Sequence, residues 1–311
     1  MKGQPLFRRH PSNPILIAET WPYTVNAVFN PAAVLTRDGE TLLLVRVEDR
    51  SGLSHFTLAR SPDGIGDWVV DSRPTLEPDV SIAEESWGIE DPRITRIDDS
   101  YLIVYTGLSR HGPLIRLART YDFEQFERIG TITPPEDKDG ALFPGKFDGR
   151  YALLHRPVSS WAGGGAHIWI SYSRDLVHWG EPKVLIESRG GGHWDQVKVG
   201  VGPPPLLTEH GWLVLFHGVK STAAGSLYRV GLALLDLENP QVVLARSDEW
   251  VFGPEAPYER VGDVSGVVFP TGWVQAAGGV ARVYYGATDS CVGVAQVDIQ
   301  ALIDFVRTHS L

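Results

Sequence analysis

Short runs of alternating hydrophobic and polar residues cover much of the chain. Three of the clearest runs are residues 54–59, 114–118 and 167–172. Alternation with a period of two residues predicts β-strands that bury one face. A similar turn sequence follows each run: Ser61-Pro62-Asp63 with Trp68, Thr120-Tyr121-Asp122 with Phe126, and Ser173-Arg174-Asp175 with Trp179. The Ser, Thr and Asp side chains can bond nearby backbone N–H groups and fix the turn, and the aromatic side chain can then pack back on the sheet.

The recurrence of this turn predicts a repeat architecture. Its spacing is about 55 residues, and repeats built only of strands indicate a β-propeller. We expect five blades, at about residues 29–70, 90–129, 140–186, 198–246 and 266–299. The segment before Ala27 is expected to complete the last blade, and only residues 299–310 predict a helix. The fold class is therefore all-β: a single five-bladed β-propeller domain over residues 1–311 with a central active-site cavity.

Composition and charge narrow the classes of function. The chain is 43% hydrophobic, with 33 Gly and 22 Pro, as tight turns and few helices require. Its one cysteine, Cys291, cannot form an intramolecular disulfide and predicts a reducing compartment. We see no signal stretch or long apolar run, and we predict a soluble, cytoplasmic protein. A net charge of −10 argues against nucleic-acid and membrane partners, but a small anion needs only a local basic cluster.

Polar residues concentrate where inner strands of the predicted blades would end. Each blade contributes at least one such segment: Asn30-Pro31, Arg46-Val47-Glu48-Asp49, Glu90-Asp91-Pro92-Arg93, His155-Arg156-Pro157, Lys198, His217-Gly218 and Thr288-Asp289. Because inner strands surround the axis of a propeller, these side chains are expected to converge on one pocket. A propeller by itself does not define a function, so the chemistry depends on these residues.

The chain resembles glycoside hydrolase family 130, the β-mannoside phosphorylases and related mannosidases. The resemblance covers most of the chain and rests on nine ordered stretches: Val28-Phe29-Asn30-Pro31-Ala32-Ala33, Leu44-Val45-Arg46-Val47-Glu48-Asp49, Gly88-Ile89-Glu90-Asp91-Pro92-Arg93-Ile94, Ala141-Leu142-Phe143-Pro144, Leu153-Leu154-His155-Arg156-Pro157, Gly202-Pro203-Pro204-Pro205, Phe216-His217-Gly218-Val219, Val267-Val268-Phe269-Pro270-Thr271-Gly272 and Tyr284-Tyr285-Gly286-Ala287-Thr288-Asp289. The ordered set is more specific than any one motif. Members of that family are five-bladed propellers, in agreement with the blade count.

By this resemblance, Asp91 matches the catalytic general acid. In the family's phosphorylases the proton is thought to pass through the 3-hydroxyl of the mannosyl unit to the glycosidic oxygen. A general acid needs a carboxyl whose pKa is raised by burial or like charge. We also expect Pro92 to bias Asp91 toward an extended conformation. The ordinary alternative is an aspartate that caps a turn at the start of a strand.

The resemblance also implies a phosphate-binding set. Arg156, Lys198 and His217 match positions that bind phosphate in the phosphorylases, and Tyr285 is expected to add a hydroxyl donor. Arg, Lys and His donors suit a phosphate dianion, whereas an inverting hydrolase needs a second carboxylate that activates water. The ordinary alternatives are a strand-end ion pair for Arg156, a solvated edge lysine for Lys198 and a core histidine for His217.

The remaining candidates are substrate-binding residues for the mannosyl unit and its neighbour. They are Asn30, Arg46, Asp49, Trp87, Glu90, His155 and Asp289. No metal site is predicted, because His193 lacks a Cys or His at ligand spacing, and no nucleotide loop is predicted, because no glycine cluster precedes Lys-Ser or Lys-Thr. We expect no cofactor, with inorganic phosphate as co-substrate.

The favoured prediction is inverting phosphorolysis of β-1,4- or β-1,2-linked manno-oligosaccharides or mannosyl-glucose disaccharides, giving α-mannose 1-phosphate. One alternative is a hydrolase on the same fold, with Glu48, Glu85 or Glu90 as base. The other is a non-catalytic carbohydrate-binding propeller. Linkage and acceptor depend on the loops at residues 71–86, 159–165 and 220–227, and a homo-oligomer is left open.

Overall fold

Five antiparallel sheets make up the chain in the computed structural model, which describes residues 5–158 and 165–310. The first three sheets follow one another along the sequence. Blade 1 contains β3 (Ala27–Leu35), β4 (Thr41–Glu48), β5 (Ser54–Ser61) and β6 (Val69–Val70). Blade 2 contains β7 (Ile89–Ile97), β8 (Ser100–Ser109), β9 (Gly112–Thr120) and β10 (Glu127–Thr131). Blade 3 contains β11 (Asp137–Phe147), β12 (Arg150–Pro157), β13 (Ile168–Ser173) and β14 (Trp179–Ile186).

The last two sheets have five strands each. Blade 4 contains β15 (Lys198–Val201), β16 (Leu206–Thr208), β17 (Gly211–Thr222), β18 (Gly225–Leu235) and β19 (Val243–Arg246). Blade 5 contains β20 (Val268–Gln275), β21 (Val280–Ala287) and β22 (Cys291–Asp298), to which the N-terminal strands β1 (Arg8–Arg9) and β2 (Leu16–Ile17) add. The prediction that the N-terminal segment completes the last blade is therefore confirmed, and the five sheets form a five-bladed β-propeller.

The hydrophobic core lies between neighbouring blades. Each of five buried clusters joins two adjacent blades, and the cluster around Val45 and Tyr284 joins the first blade to the last. The first strands of neighbouring blades contact each other around the centre, as β20 does with β3 and β3 with β7. Because the hydrophobic faces are shared between blades, closure of the ring leaves the centre free for polar side chains.

The repeated turn forms as its sequence predicts. In blade 1, the Ser61 hydroxyl accepts a bond from the Gly64 N–H, and the Asp63 carboxylate accepts bonds from the N–H groups of Ile65 and Gly66. Trp68 then donates its indole N–H to the Ile65 carbonyl while its ring packs in the core between blades 5 and 1. The turns after Thr120 and Ser173 repeat this pattern.

Helices are few and short. The C-terminal helix α2 (Ile299–Thr308) agrees with the prediction, and the Asp298 carboxylate caps it by accepting the Ala301 N–H. The one-turn helix α1 (Pro257–Arg260) was not predicted. Across residues 5–158 and 165–310, no helix is long and apolar enough to cross a membrane.

An ion pair between Arg9 of β1 and Glu259 of α1 links the N-terminal strand of blade 5 to the segment before β20. The guanidinium donates to both carboxylate oxygens, at 2.7 and 2.9 Å, and Glu259 is fully buried. The Tyr285 hydroxyl donates to the same carboxylate at 2.8 Å. The N-terminus, α1 and blade 5 are thereby held together beside the segment that leads into β20.

Candidate active site

A single cavity at the centre of the propeller collects polar side chains from all five blades. Its volume is about 130 Å³. The lining residues are Asn30, Arg46, Asp91, Lys138, Asp139, Arg156, Lys198, His217, Tyr228, Val264, Val267, Phe269 and Asp289. Seven of the residues singled out from the sequence are among them: Asn30, Arg46, Asp91, Arg156, Lys198, His217 and Asp289.

A bulge in the first strand of blades 1, 2 and 3 positions three of these side chains. The strand register shifts between Phe29 and Ala32, between Glu90 and Arg93, and between Lys138 and Ala141. At these bulges Asn30, Asp91 and Asp139 have φ values of 45°, 51° and 55°. Left-handed backbone is uncommon for residues with a side chain and often marks functional sites. We expected Pro92 to make Asp91 extended, and this expectation is wrong. The bulge overrides the preference for an extended conformation in the residue before proline.

Asp91 is held by an amide and a guanidinium. The Asn30 side-chain amide donates to Asp91 Oδ1 at 2.8 Å, and Arg46 Nη1 donates to the same oxygen at 3.0 Å. Arg46 Nη2 also donates to Glu90 Oε1 at 2.9 Å, and Lys138 Nζ donates to Glu90 Oε2 at 3.1 Å. Two cations and two carboxylates thus form one connected network on this side of the cavity.

The pKa values of two carboxyls that line the cavity, Asp91 and Asp289, are shifted in opposite directions. Burial alone would raise the pKa of Asp91, but Arg46, Lys138 and Arg93 outweigh it, and the pKa lies below its ordinary value. The expectation of a raised pKa for Asp91 is thus wrong. Instead burial and the charge of Asp91 raise the pKa of Asp289 to about 6. Asp289 lies in the β21–β22 turn, in which Thr288 and Asp289 both have positive φ.

The basic side of the cavity is formed by Arg156, His217 and Lys198 from blades 3 and 4. Arg156 on β12 donates through Nε to Asp139 Oδ2 at 2.6 Å. His217 on β17 has its Nε2 3.5 Å from the same oxygen. Lys198 at the start of β15 lies over the Tyr228 ring, with Nζ 5.2 Å from its centroid. Among the residues that the structure describes, no carboxylate lies within ion-pair distance of Lys198 Nζ.

His217 is the neutral member of this basic set. Burial lowers the pKa of His217 to about 3. Asp139 favours the charged ring, but the positive charges of Arg156, Lys198 and Arg93 disfavour it. Its ring packs 4.6 Å from the Phe269 ring, centroid to centroid. Within the described chain its buried Nδ1 has no hydrogen-bond partner. A neutral imidazole can donate one N–H bond without adding charge.

Five of the predicted site residues do not line the cavity. Tyr285 donates to Glu259, the ion-pair partner of Arg9, so the prediction that it binds phosphate is not supported by its position. His155 bonds the Asp137 carboxylate at 2.6 Å and the Ser171 hydroxyl at 2.8 Å, as a buried structural histidine does.

Asp49, Trp87 and Glu90 occupy different places around the site. The Asp49 carboxylate accepts bonds from the N–H groups of Ser51 and Leu53 and fixes its own turn. Trp87 is 52% exposed and lies just before the bulge strand of Asp91, so stacking on a sugar outside the cavity stays a prediction. Glu90 lies behind the lining and holds Arg46 and Lys138 in place.

Six lining residues escaped the sequence analysis: Lys138, Asp139, Tyr228, Val264, Val267 and Phe269. Lys138 and Asp139 lie shortly before the Ala141-Leu142-Phe143-Pro144 stretch, and two charges beside a buried strand were a usable signal. Phe269 lies inside another matched stretch but resembles an ordinary core aromatic. Tyr228 lies on β18, where no pattern distinguishes it. Residues 220–227, expected to form a loop, are instead the end of β17, a tight turn and the start of β18.

The carboxylates considered as hydrolytic bases are engaged elsewhere. Glu85 is fully buried and accepts bonds from the Tyr105 hydroxyl at 2.7 Å and from Arg128 Nε. Glu48 accepts a bond from the Asn26 amide at the exposed end of β4. Neither lines the cavity. Within the described ranges, no cluster of three or more His, Cys, Asp or Glu side chains is arranged to hold a metal ion.

Comparison with known proteins gives the family. A family model described as beta-1,4-mannooligosaccharide phosphorylase matches residues 4–308. The chain belongs to this family, glycoside hydrolase family 130. The β-1,4-mannooligosaccharide phosphorylase of Ruminococcus albus is 32% identical over 308 residues, which cover 97% of this chain and 91% of that protein. The β-1,2-mannobiose phosphorylase of Listeria innocua is 38% identical over 253 residues, covering 81% and 69%.

Solved structures support the same assignment. The Listeria innocua β-1,2-mannobiose phosphorylase in complex with β-1,2-mannobiose has a TM-score of 0.88 and 30% identity, covering 97% of this chain and 99% of that chain. A second structure comes from work on family members that are glycoside hydrolases of β-1,2-mannosidic linkages in Candida mannan. It has a TM-score of 0.82 and 28% identity, covering 96% and 95%. The fold therefore occurs with both phosphorylases and hydrolases, and the cavity must distinguish them.

Proposed function

We propose that this protein is an inverting β-mannoside phosphorylase that converts a β-linked manno-oligosaccharide and inorganic phosphate into α-mannose 1-phosphate. The observation that carries the proposal is the division of one cavity into two sides. Asn30, Arg46, Asp91 and Asp289 come from blades 1, 2 and 5, and the basic residues Arg156 and Lys198 come from blades 3 and 4. An acid and an anion site on opposite sides of one sugar is the arrangement that inversion with phosphate requires.

The mannosyl unit is proposed to lie against Asn30, Arg46, Asp91 and Asp289. These groups supply the planar donors and acceptors that match sugar hydroxyls. The Asn30 Oδ1 atom is buried and, in the described part of the chain, lacks a hydrogen-bond donor. That oxygen faces Gly286, so the sugar hydroxyls are proposed to bond the side chains of Arg46, Asp91 and Asp289.

Phosphate is proposed to bind Arg156, Lys198, His217 and Tyr228. Arg156 and Lys198 supply charge-assisted donors, and His217 and Tyr228 supply neutral ones. A phosphate oxygen forms the new bond to C1 while the bond from C1 to the glycosidic oxygen breaks. The leaving oxygen takes a proton from Asp91, passed through the 3-hydroxyl of the mannosyl unit, so charge and protons balance.

The low pKa of Asp91 is consistent with this order of events. Arg46 and Lys138 hold the free carboxyl ionised. A phosphate anion on the neighbouring cations adds like charge, and like charge raises the pKa of a nearby carboxyl. Asp91 would then become a competent acid only when phosphate is bound, which couples protonation to the presence of the nucleophile.

A hydrolase is less well supported by the same cavity. Inverting hydrolysis needs a carboxylate base across the ring from the acid, and Glu48, Glu85 and Glu90 do not line the cavity. Asp139 does line it. Burial alone would raise the pKa of Asp139, but the positive charges around it, Arg156 first, outweigh burial and lower this pKa strongly. A carboxylate stabilised in this way is a weak base.

We further propose that residues 1–311 act as one catalytic domain and that the reaction needs no cofactor. Linkage stays open between the β-1,4 and β-1,2 classes, since relatives of both kinds match the chain. The relative from Bacteroides fragilis is a 4-O-β-D-mannosyl-D-glucose phosphorylase, 33% identical over 324 residues. Mannosyl-glucose therefore belongs among the substrates to be tested.

The test is an initial-rate survey with β-1,4-mannobiose, β-1,2-mannobiose and 4-O-β-mannosyl-glucose, each over a series of phosphate concentrations. The proposal predicts a rate that rises with phosphate and saturates for at least one of the three. Cleavage of any of them at a rate independent of phosphate would support the hydrolase. Binding of these sugars without cleavage under any condition would support the carbohydrate-binding alternative.

A further inference from the structure

Asp139 places a buried carboxylate inside the basic side of the cavity. It is 2% exposed, and its Oδ2 accepts the Arg156 Nε bond at 2.6 Å with His217 Nε2 at 3.5 Å. Its other oxygen, Oδ1, is 3.9 Å from Arg93 Nη2. A site built only to attract an anion would not need a fixed negative charge among its donors.

A carboxylate in such a site treats two kinds of oxyanion differently. Inorganic phosphate keeps a P–O–H hydrogen at neutral pH, and that hydrogen can be donated to a carboxylate oxygen. Sulfate has no hydrogen to donate, so its oxygens face the carboxylate with like charge. Because Asp139 is buried, this repulsion is weakly screened.

The surroundings of Asp139 keep it charged and in place. The bulge of β11 gives it a φ of 55°, and Arg93, Lys138, Arg156 and His217 are the titratable groups around it. A Cβ atom on Gly200 would clash with Asp139 Oδ2 and with the His217 ring. The carboxylate therefore has little room to swing away from a ligand that repels it.

We propose that Asp139 is a specificity-determining residue that selects a protonated oxyanion, phosphate or arsenate, over fully ionised sulfate. This inference rests on the proposed function, because it assumes that the anion binds at Arg156, Lys198 and His217. The simpler role is a positioning one, in which Asp139 only orients Arg156. A positioning residue would affect both anions alike.

The experiment measures binding of sodium phosphate and sodium sulfate to the full chain by titration calorimetry at neutral pH. Wild-type protein is expected to prefer phosphate. Asp139→Asn keeps the shape, retains an acceptor for the P–O–H group and removes the charge. A hydrogen bond to a charged group corresponds to a change of about ten- to a hundredfold, so the ratio of the two dissociation constants should shift toward sulfate by that factor.

The matched control is Asp137→Asn on the same strand. Asp137 is equally buried but bonds His155 and does not line the cavity, so its loss should leave the phosphate-to-sulfate ratio unchanged. An unchanged ratio in Asp139→Asn would overturn the inference. So would wild-type protein that binds sulfate as tightly as phosphate, a result that does not depend on whether the variant folds.

Failure of the proposed function gives a different result. If wild-type protein binds phosphate selectively but cleaves β-mannosides without consuming it, the phosphorylase assignment is wrong while the selectivity by Asp139 is supported. If phosphate is consumed and sulfate inhibits wild-type protein and Asp139→Asn equally, the phosphorylase assignment is supported and the proposed role of Asp139 is wrong.

Discussion

Replacement of Lys198 by methionine isolates the contribution of one cation to phosphate binding. Lys198 is half-buried at the start of β15 and lines the cavity. Its only described charge-related contact is the face of the Tyr228 ring. Methionine keeps an unbranched side chain of similar length and can still pack on this ring. No carboxylate of the described chain loses an ion-pair partner, so the fold should be unaffected.

The expected magnitude follows from the contact that is lost. A hydrogen bond to a charged group contributes about 1.5–3 kcal/mol, and each 1.4 kcal/mol changes a binding constant about tenfold. The apparent Michaelis constant for phosphate should therefore rise between about tenfold and a hundredfold. The constant for the β-mannoside should change little, because the proposed mannosyl site lies on the opposite side of the cavity.

The assay is initial rate against phosphate at saturating β-mannoside, repeated against mannoside at saturating phosphate. Lys183→Met is the matched control. Lys183 lies on β14, the outer strand of blade 3, donates to the Gln241 side chain and does not line the cavity. It should leave both constants unchanged. Equal weakening of phosphate and mannoside in Lys198→Met would refute the reasoning, as would a phosphate constant identical to wild type.

Three further predictions test the acid, the ion pair of Arg9 with Glu259, and the second carboxyl. Asp91→Asn should lower turnover about 10²–10⁴-fold with little change in mannoside affinity, measured kinetically and by calorimetry; near-normal turnover would assign the acid elsewhere. Arg9→Met leaves the buried Glu259 carboxylate unpaired and should lower the free energy of unfolding by about 3–5 kcal/mol, whereas exposed Arg8→Met should change it little in the same denaturant titration. The pKa of Asp289 is raised from 3.8 to about 6, so wild-type stability falls as pH rises through that interval; Asp289→Asn should be the more stable protein above it, by up to about 3 kcal/mol, and the advantage should vanish below it. A pH-independent difference in melting would contradict the last expectation.

The sequence was sufficient to predict the propeller because the decisive signals are local. Alternation of residues in 54–59 predicts a strand by its own period, and Ser61 and Asp63 form their turn with backbone groups only a few residues away. The N-terminal contribution to blade 5 was also predictable, since a ring of blades needs its ends joined. These features depend on neighbours along the chain or on a general rule of closed folds.

The finer geometry of the site was less accessible. The conformation of Asp91 depends on how β7 pairs with β8, and local preference for an extended residue before proline gave the wrong result. Tyr285 lies in a matched stretch, yet its hydroxyl donates a hydrogen bond to Glu259, which lies in a segment with no motif. Asp139 was missed because its importance comes from Arg156 and His217, which only the assembled ring brings to it.

The most direct test of the phosphorylase assignment is the stoichiometry of phosphate during cleavage of a β-mannoside. Phosphorus NMR can follow inorganic phosphate and the new phosphate ester in one sample, while chromatography follows the disaccharide. The account predicts that one phosphate disappears for each linkage cleaved and that the ester formed is α-mannose 1-phosphate. Accumulation of free mannose from the non-reducing end with inorganic phosphate unchanged would contradict it.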